Sequence, residues 1–262
     1  MGIDYTKRPK ADPAAPHAAP PTAPPAAAPA ASSAPQPAPQ PSPQASPQPS
    51  PQPPAVTLSK VTLTKAAPTV SLTKAETASG VLRVNLDWTA RPPSSGGFWK
   101  SLTGAPAIDL DLACLYEYTD GSKGVVQALG NAFRDEHTFG PEPICWLDGD
   151  DRTGARAGGE NLFVDLRHIQ AVRRILVFAF IYEGVPNWAA ADAVVTLFPR
   201  SGPQIEVRLD ESDPQSPSCA IALLENVGGE LSVRREVRYV RGGQSAVDAA
   251  YGWGMQWARG RK

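Results

Sequence analysis

The first fifth of the chain has almost no charge and lacks the largest aromatic residues. Between Pro13 and Ser59 there is no Asp, Glu, Lys or Arg, and every Trp and Phe of the 262 residues lies beyond Pro54. Of the 29 prolines, 18 fall within the first 54 positions. Such a segment cannot bury enough apolar surface to offset the entropy of ordering it. We therefore predict a disordered Pro/Ala/Gln-rich arm over residues 1–54.

Other absences exclude whole classes of protein. The three cysteines, Cys114, Cys145 and Cys219, are an odd number and form no CxxC pair, which favours a reducing compartment over a disulfide scaffold. No apolar run approaches about 18 residues, and Met1–Lys10 lacks the apolar core of a secretory signal. A formal net charge of -1 excludes a globally basic nucleic-acid binder. These features predict a cytoplasmic protein with no transmembrane segment and no nucleic-acid partner.

Beyond the arm, a Val-x-Leu pattern recurs three times, in Val56–Lys60, Val61–Lys65 and Val70–Lys74. Apolar residues two apart with polar residues between them are typical of a half-buried strand. The third copy is the best candidate, because Val81–Leu86 follows at hairpin distance. We assign residues 55–69 to a linker or extra strand and residues 70–262 to the folded domain.

Many further short strands are predicted, with Gly, Pro and Asp turns between them, whereas helical patterns are few. This arrangement favours an all-β fold, a two-sheet β-sandwich with a few short helices such as Ser245–Tyr251. The predicted strands are Ile108–Glu117, Gly124–Ala128, Arg174–Tyr182, Ala193–Phe198, Gln204–Leu209, Ala220–Glu225 and Leu231–Arg241.

Two acidic segments are the strongest chemical signal. Asp109 and Asp111 alternate with leucine, so on a strand they share one face about 6.6 Å apart. Asp150 and Asp151 lie in a Gly-bearing loop that ends at Glu160. Hard cations such as Ca²⁺ bind about six to eight oxygen ligands, which these segments could supply together. The alternative is that Asp-Gly-Asp-Asp is only a solvated turn, and spacing alone leaves both interpretations open.

At these positions the chain resembles the tellurite-resistance TerD-like domain family, in particular its TerA branch. The similarity extends from about Val70 to Trp257 and excludes the Pro-rich arm. The motifs that carry it are Ile108–Asp111, Asp120–Gly121, Gly149–Gly154, Gly159–Asn161, Val185–Trp188 and Tyr251–Trp257, in that order.

The resemblance implies a β-sandwich that binds Ca²⁺ through loops at one end, in a bacterial cytoplasmic stress response. It places the metal ligands at Asp109, Asp111, Asp150 and Glu160, with Asp151 at a position that is often Asn. The Ala155–Gly159 segment has no acids and includes an arginine, which favours one cation site over two. The implied partners are proteins of a stress-resistance complex, with peripheral attachment at the inner membrane as a further option.

Three classes of function remain open. The leading hypothesis is a non-enzymatic, Ca²⁺-binding scaffold or interaction module. The enzyme alternative is a metal-assisted hydrolase or a thiol-based tellurite reductase, although no general base or nucleophile is evident beside the acidic cluster. A third class is a Ca²⁺-dependent membrane-surface module. The basic run of Arg234, Arg235 and Arg238 is interpreted as an exposed edge strand rather than an anion-binding patch.

Overall fold

Alternating apolar side chains build two β-sheets that pack face to face. The structure, a computed structural model, describes residues 59–73, 80–89, 108–136, 142–149, 159–184, 188–210 and 213–257. The described strands are β1 (Lys60–Thr62), β2 (Thr69–Leu72), β3 (Val81–Asp87), β4 (Asp109–Tyr118), β5 (Lys123–Val126), β6 (Cys145–Leu147), β7 (Glu160–Asp165), β8 (Val172–Glu183), β9 (Ala193–Phe198), β10 (Gln204–Leu209), β11 (Ser218–Val227) and β12 (Glu230–Val240). Within the described residues each sheet has six strands.

Sheet I has the order β1-β10-β9-β3-β7-β6, and sheet II has the order β2-β12-β11-β8-β4-β5. All described pairings are antiparallel except that of β1 with β10. The predicted two-sheet, all-β fold is therefore confirmed. The prediction of a disordered arm over residues 1–54 lies outside the described residues.

The core lies between the sheets and follows the period of two that strands impose on their side chains. Sheet I contributes Leu82, Val84 and Leu86 from β3, all fully buried. Sheet II contributes residues such as Leu112 and Val177 to the same cluster. Burying one such side chain stabilises the fold by roughly 1.5–3 kcal/mol, so the inward positions determine how the sheets face each other.

The outer face of sheet II is also apolar, and the C-terminal segment covers it. Besides α1 (Trp188–Ala191), the structure has α2 (Gln244–Tyr251), close to the predicted Ser245–Tyr251 helix. Trp253 follows α2, is fully buried, and donates from Nε1 to the Tyr116 carbonyl at 3.1 Å. The Arg174 guanidinium lies 3.8 Å from the centre of the Trp253 ring, in cation–π geometry. Consequently Ile175–Phe180 of β8 are buried on both faces, and the uninterrupted apolar run of Ile175–Ile181 in the sequence is typical of such a strand.

The Val-x-Leu copies supply edge strands to both sheets. The third copy forms β2, which pairs with β12 in sheet II. The second copy forms β1, within residues 55–69, and pairs with β10 in sheet I. Both the best candidate and a second copy therefore form strands, and these consecutive copies separate at Leu63–Pro68 and join different sheets. The first copy, up to Leu58, lies outside the described residues.

The edge-strand interpretation of the basic run is wrong at Arg234. Strand β12 pairs with β11 on one side, and on the other side β2 pairs with Leu231–Arg234, whereas the pairing with β2 does not extend to Arg238. Alternation of charged and apolar residues reports only that one face is solvated, and the N-terminal strand β2 takes the edge position.

None of the helices in the described residues is long and apolar enough to cross a membrane.

Candidate cation-binding site

The acidic pair begins strand β4. Leu110 and Leu112 point into the core with no exposed surface, which confirms the predicted alternation. Asp111 is also fully buried, and Asp109 is 6% exposed. On β8, Phe180 is the cross-strand neighbour of Asp111, and the register shifts between Asp109 and Leu110. Two carboxylates are thus placed in a largely dehydrated environment at one end of sheet II.

Glu160 reaches this end from the other sheet. It is the first residue of β7 and is 1% exposed. Its Oε2 accepts a hydrogen bond of 2.6 Å from the backbone amide of Leu112, the residue after Asp111. The structure therefore places Glu160 against the strand that bears Asp109 and Asp111.

A glycine makes this approach possible. Gly159 has φ +61°, and a Cβ built on it would lie 2.0 Å from the carbonyl oxygen of Leu86. Any larger residue would both strain the backbone and collide with β3. Gly159 therefore lets the chain pass close to β3 immediately before Glu160, which pairs with Leu86.

Asn161 links strand β3 to Asp148, at the start of the loop that contains Asp150 and Asp151. Its side-chain oxygen accepts from Arg83 at 3.1 Å and from the Asn85 amide at 3.0 Å. Its own amide nitrogen donates to Asp148 Oδ2 at 3.0 Å, and the Asp148 backbone amide donates to the Asn161 carbonyl at 3.2 Å. Both ends of the segment that contains Asp150 are therefore held beside Glu160.

The sequence alone did not identify the residues that bind the Asn161 side chain. These residues, Arg83, Asn85 and Asp148, belong to no recognisable motif. The alternation in Val81–Leu86 would have shown that Arg83 and Asn85 share the face opposite the core. It could not have shown that β7 would be their neighbour.

Two of the predicted ligands, Asp150 and Asp151, lie outside the described residues. Among the residues that the structure describes, no group of three or more His, Cys, Asp or Glu side chains is arranged to hold a metal ion. The ligand set Asp109, Asp111, Asp150, Asp151 and Glu160 therefore stays a prediction.

The three cysteines are buried, and none of them forms a disulfide. Burial, together with the neighbouring Cys114, raises the pKa of the Cys145 thiol well above its ordinary value. Asp135 Oδ2 accepts hydrogen bonds from the backbone amides of Ile144 and Cys145, each at 3.1 Å, and from the Tyr118 hydroxyl. Because the thiolate is the reactive form, this environment favours a packing role for Cys145 over thiol-based reduction.

A β-sandwich with buried carboxylates from both sheets at one end is the class of protein that these observations define. The chain is 47% identical over 208 residues to the Tellurium resistance protein TerA of an Alcaligenes species. That alignment covers 79% of this chain and 60% of the relative. The chain therefore belongs to the TerA family of tellurium-resistance proteins, which confirms the predicted relationship, and it matches less than two thirds of that relative's length.

Solved structures show a weaker likeness. One is a protein of unknown function, with a TM-score of 0.45, 16% identity, and coverage of 67% of this chain and 98% of the other. Another is a homologue of the telluride resistance protein TerD from Streptomyces coelicolor A3(2), with a TM-score of 0.43 and 17% identity. The match covers 64% of this chain and 94% of the other. No protein-family model matches the chain.

Proposed function

We propose that this protein is a Ca²⁺-binding, non-enzymatic interaction module that acts in resistance to tellurium stress. The name of the Alcaligenes relative supports the stress role. The cation role rests on the residues at the acidic end of the sandwich.

The observation that carries the proposal is the contact between Glu160 and Leu112. It brings a buried carboxylate of sheet I to the strand that bears Asp109 and Asp111 in sheet II. Several carboxylates buried close together raise the electrostatic free energy of the folded state. A divalent cation that binds there would lower that energy and stabilise the fold through linkage.

Ca²⁺ fits this chemistry better than a transition metal. The candidate ligands are carboxylate oxygens, and hard cations prefer oxygen. Ca²⁺ also accepts irregular geometry with six to eight ligands, whereas Mg²⁺ demands a near-ideal octahedron and retains its waters. The hydrogen bonds between Asn161 and Asp148 hold the two ends of the loop that contains Asp150 and Asp151. A bound Ca²⁺ would therefore draw the carboxylates of Asp150 and Asp151 towards Glu160. The ordered loop would then dock a protein partner.

Isothermal calorimetry on the full chain tests the cation site. We expect Ca²⁺ to bind, Mg²⁺ to bind more weakly, and the Asp111→Asn variant to lose at least about tenfold in Ca²⁺ affinity. Asp120→Asn is the matched control, because it removes the same charge from an exposed turn at the opposite end of β4.

Equal Ca²⁺ binding by the Asp111→Asn variant and the native chain would contradict the proposal. So would an equal loss in the Asp120→Asn control, since that would report only the change in net charge. Circular dichroism and thermal unfolding of each variant establish that the fold is retained.

A further inference from the structure

A positively charged cleft opens at the edge where the N-terminal strands meet both sheets. Its volume is about 320 Å³. The cleft is lined by Thr62, Leu63, Thr64, Lys65, Arg208, Asp210 and Arg235. Three of these side chains are cationic and one is a carboxylate, which leaves two net positive charges within a small volume.

The walls of the cleft are tied together by backbone hydrogen bonds. The Leu63 amide donates to the Glu206 carbonyl at 2.9 Å, which fixes the end of β1 to β10. The Arg235 amide donates to the Pro68 carbonyl at 2.7 Å, which fixes the following turn to β12. Leu63 is only 3% exposed. The cleft is therefore part of the packed sandwich and joins elements of both sheets.

The turn that forms one wall is also closed internally. The Thr64 amide donates to the Ala67 carbonyl at 3.1 Å, and the Ala67 amide donates to the Thr64 hydroxyl at 3.1 Å. This double contact fixes the backbone on which Lys65 is carried. On the opposite wall, Arg208 donates from Nε to Glu206 Oε1 at 3.1 Å, which orients its guanidinium.

We propose that this cleft binds a phosphate monoester. A phosphate monoester carries about −1.5 to −2 charges at neutral pH and three acceptor oxygens, which matches the net charge of the lining. Arginine guanidinium groups pair geometrically with phosphate oxygens, and the threonine hydroxyls are additional donors. The volume exceeds what a phosphate group alone fills, so the cleft also has room for part of the group that the phosphate esterifies.

The cleft lies at the same end of sheet I as the acidic site. In the register of sheet I, Glu160 is the cross-strand partner of Leu86, and Leu86 is the partner of Val195. Val195 is in turn the partner of Val207, the residue before Arg208. Strands β7 and β10 are three strand spacings apart, roughly 14 Å. A soluble phosphate monoester and a lipid headgroup that ends in a phosphate monoester both fit this chemistry.

The test uses the full chain and two probes. Glycerol 3-phosphate is titrated by calorimetry, and vesicles of phosphatidylcholine with phosphatidic acid are used in a co-sedimentation assay without Ca²⁺. We expect the Arg208→Gln/Arg235→Gln variant to lose at least about tenfold in affinity for the probe that binds. Lys65→Gln, on the exposed turn, is a second variant whose folding depends least on packing, and it should weaken binding in the same direction.

Arg234→Gln is the matched control. It removes the same charge from the neighbouring position of β12, which is outside the cleft and pairs with Glu236. Binding of glycerol 3-phosphate identifies a soluble ligand, and binding to the vesicles alone identifies a lipid headgroup. The proposal is overturned if the native chain binds neither probe, or if Arg234→Gln weakens binding as much as the cleft variants. Thermal unfolding confirms that each compared variant is folded.

Discussion

Oε2 of Glu160 accepts a 2.6 Å hydrogen bond from the amide of Leu112, 48 positions earlier in the chain. The bond joins the first strand residue of β7 in sheet I to β4 in sheet II, and both partners are buried. A carboxylate in this position has a structural role that is separate from any cation. The two roles make different demands on the side chain, and substitutions can distinguish them.

Glu160→Gln keeps an oxygen acceptor for the Leu112 amide and removes the charge. We expect its free energy of unfolding without Ca²⁺ to lie within about 1 kcal/mol of that of the native chain, since the bond persists and repulsion falls. Glu160→Ala leaves a buried amide without its acceptor and should cost about 2–4 kcal/mol. Urea unfolding measures both values.

The Glu160→Gln variant also tests the cation site. We expect Ca²⁺ to raise the melting temperature of the native chain and not that of Glu160→Gln. If Glu160→Gln retained the full Ca²⁺ response, Glu160 would not be a Ca²⁺ ligand. Its role would then be limited to the hydrogen bond with the Leu112 amide.

Gly159→Ala should destabilise the protein far more than Gly228→Ala. Both glycines have φ near +60°, so alanine bears a similar backbone cost of about 1 kcal/mol at each. Only at Gly159 would the new Cβ lie 2.0 Å from the Leu86 carbonyl oxygen, whereas nothing lies within 4 Å at Gly228. We expect an additional loss of about 2 kcal/mol or more at Gly159, measured by urea unfolding. Equal losses would show that β3 and β7 can separate locally without cost.

Asp165→Asn should make stability less dependent on pH. Burial alone would raise the pKa of Asp165, but Arg167 donates to it from its side chain and its backbone amide, and the pKa is lowered below its ordinary value. The stabilisation from a lowered folded pKa is fully present above the unfolded pKa near 3.9 and is lost as pH falls through the folded value.

We therefore expect Asp165→Asn to be less stable than the native chain at pH 7, because the neutral amide keeps an oxygen for the Arg167 backbone amide but loses the charge that the Arg167 guanidinium binds. The difference between variant and native chain should shrink below about pH 4. Chemical unfolding at pH 7, 5 and 3.5 measures this trend. A difference that stays constant or grows on acidification would contradict the assigned role of Arg167.

The cysteines should react only when the protein opens. Cys114, Cys145 and Cys219 are all buried, and the raised pKa of Cys145 lowers its thiolate fraction further. We expect a thiol-specific chromogenic disulfide to modify the native chain slowly, and the urea-unfolded chain at once at all three positions. Rapid modification of one thiol in the folded protein would revive the thiol-based enzyme hypothesis, and Cys145→Ala and Cys114→Ala would identify the residue.

The sequence alone predicted the features that depend on local pattern. Alternation in Ile108–Leu112 indicated a strand with leucines inward and the two aspartates on the other face. The continuous apolar run around Phe178 indicated a strand buried on both sides. The Gly159–Asn161 motif and the acidic pair indicated one shared site, because their residue types and order resemble those of the TerD-like family.

The tertiary structure decided which strands are neighbours. Alternation is the same for an edge strand and an interior one, so it could not show that β2 pairs with β12 and makes Arg234 interior to the sheet. It could not show that two adjacent Val-x-Leu copies join different sheets, nor that Asn161 meets Asp148 and Asn85. These contacts join residues far apart in the chain, and their free energy depends on the packing of both sheets together, which no local pattern contains.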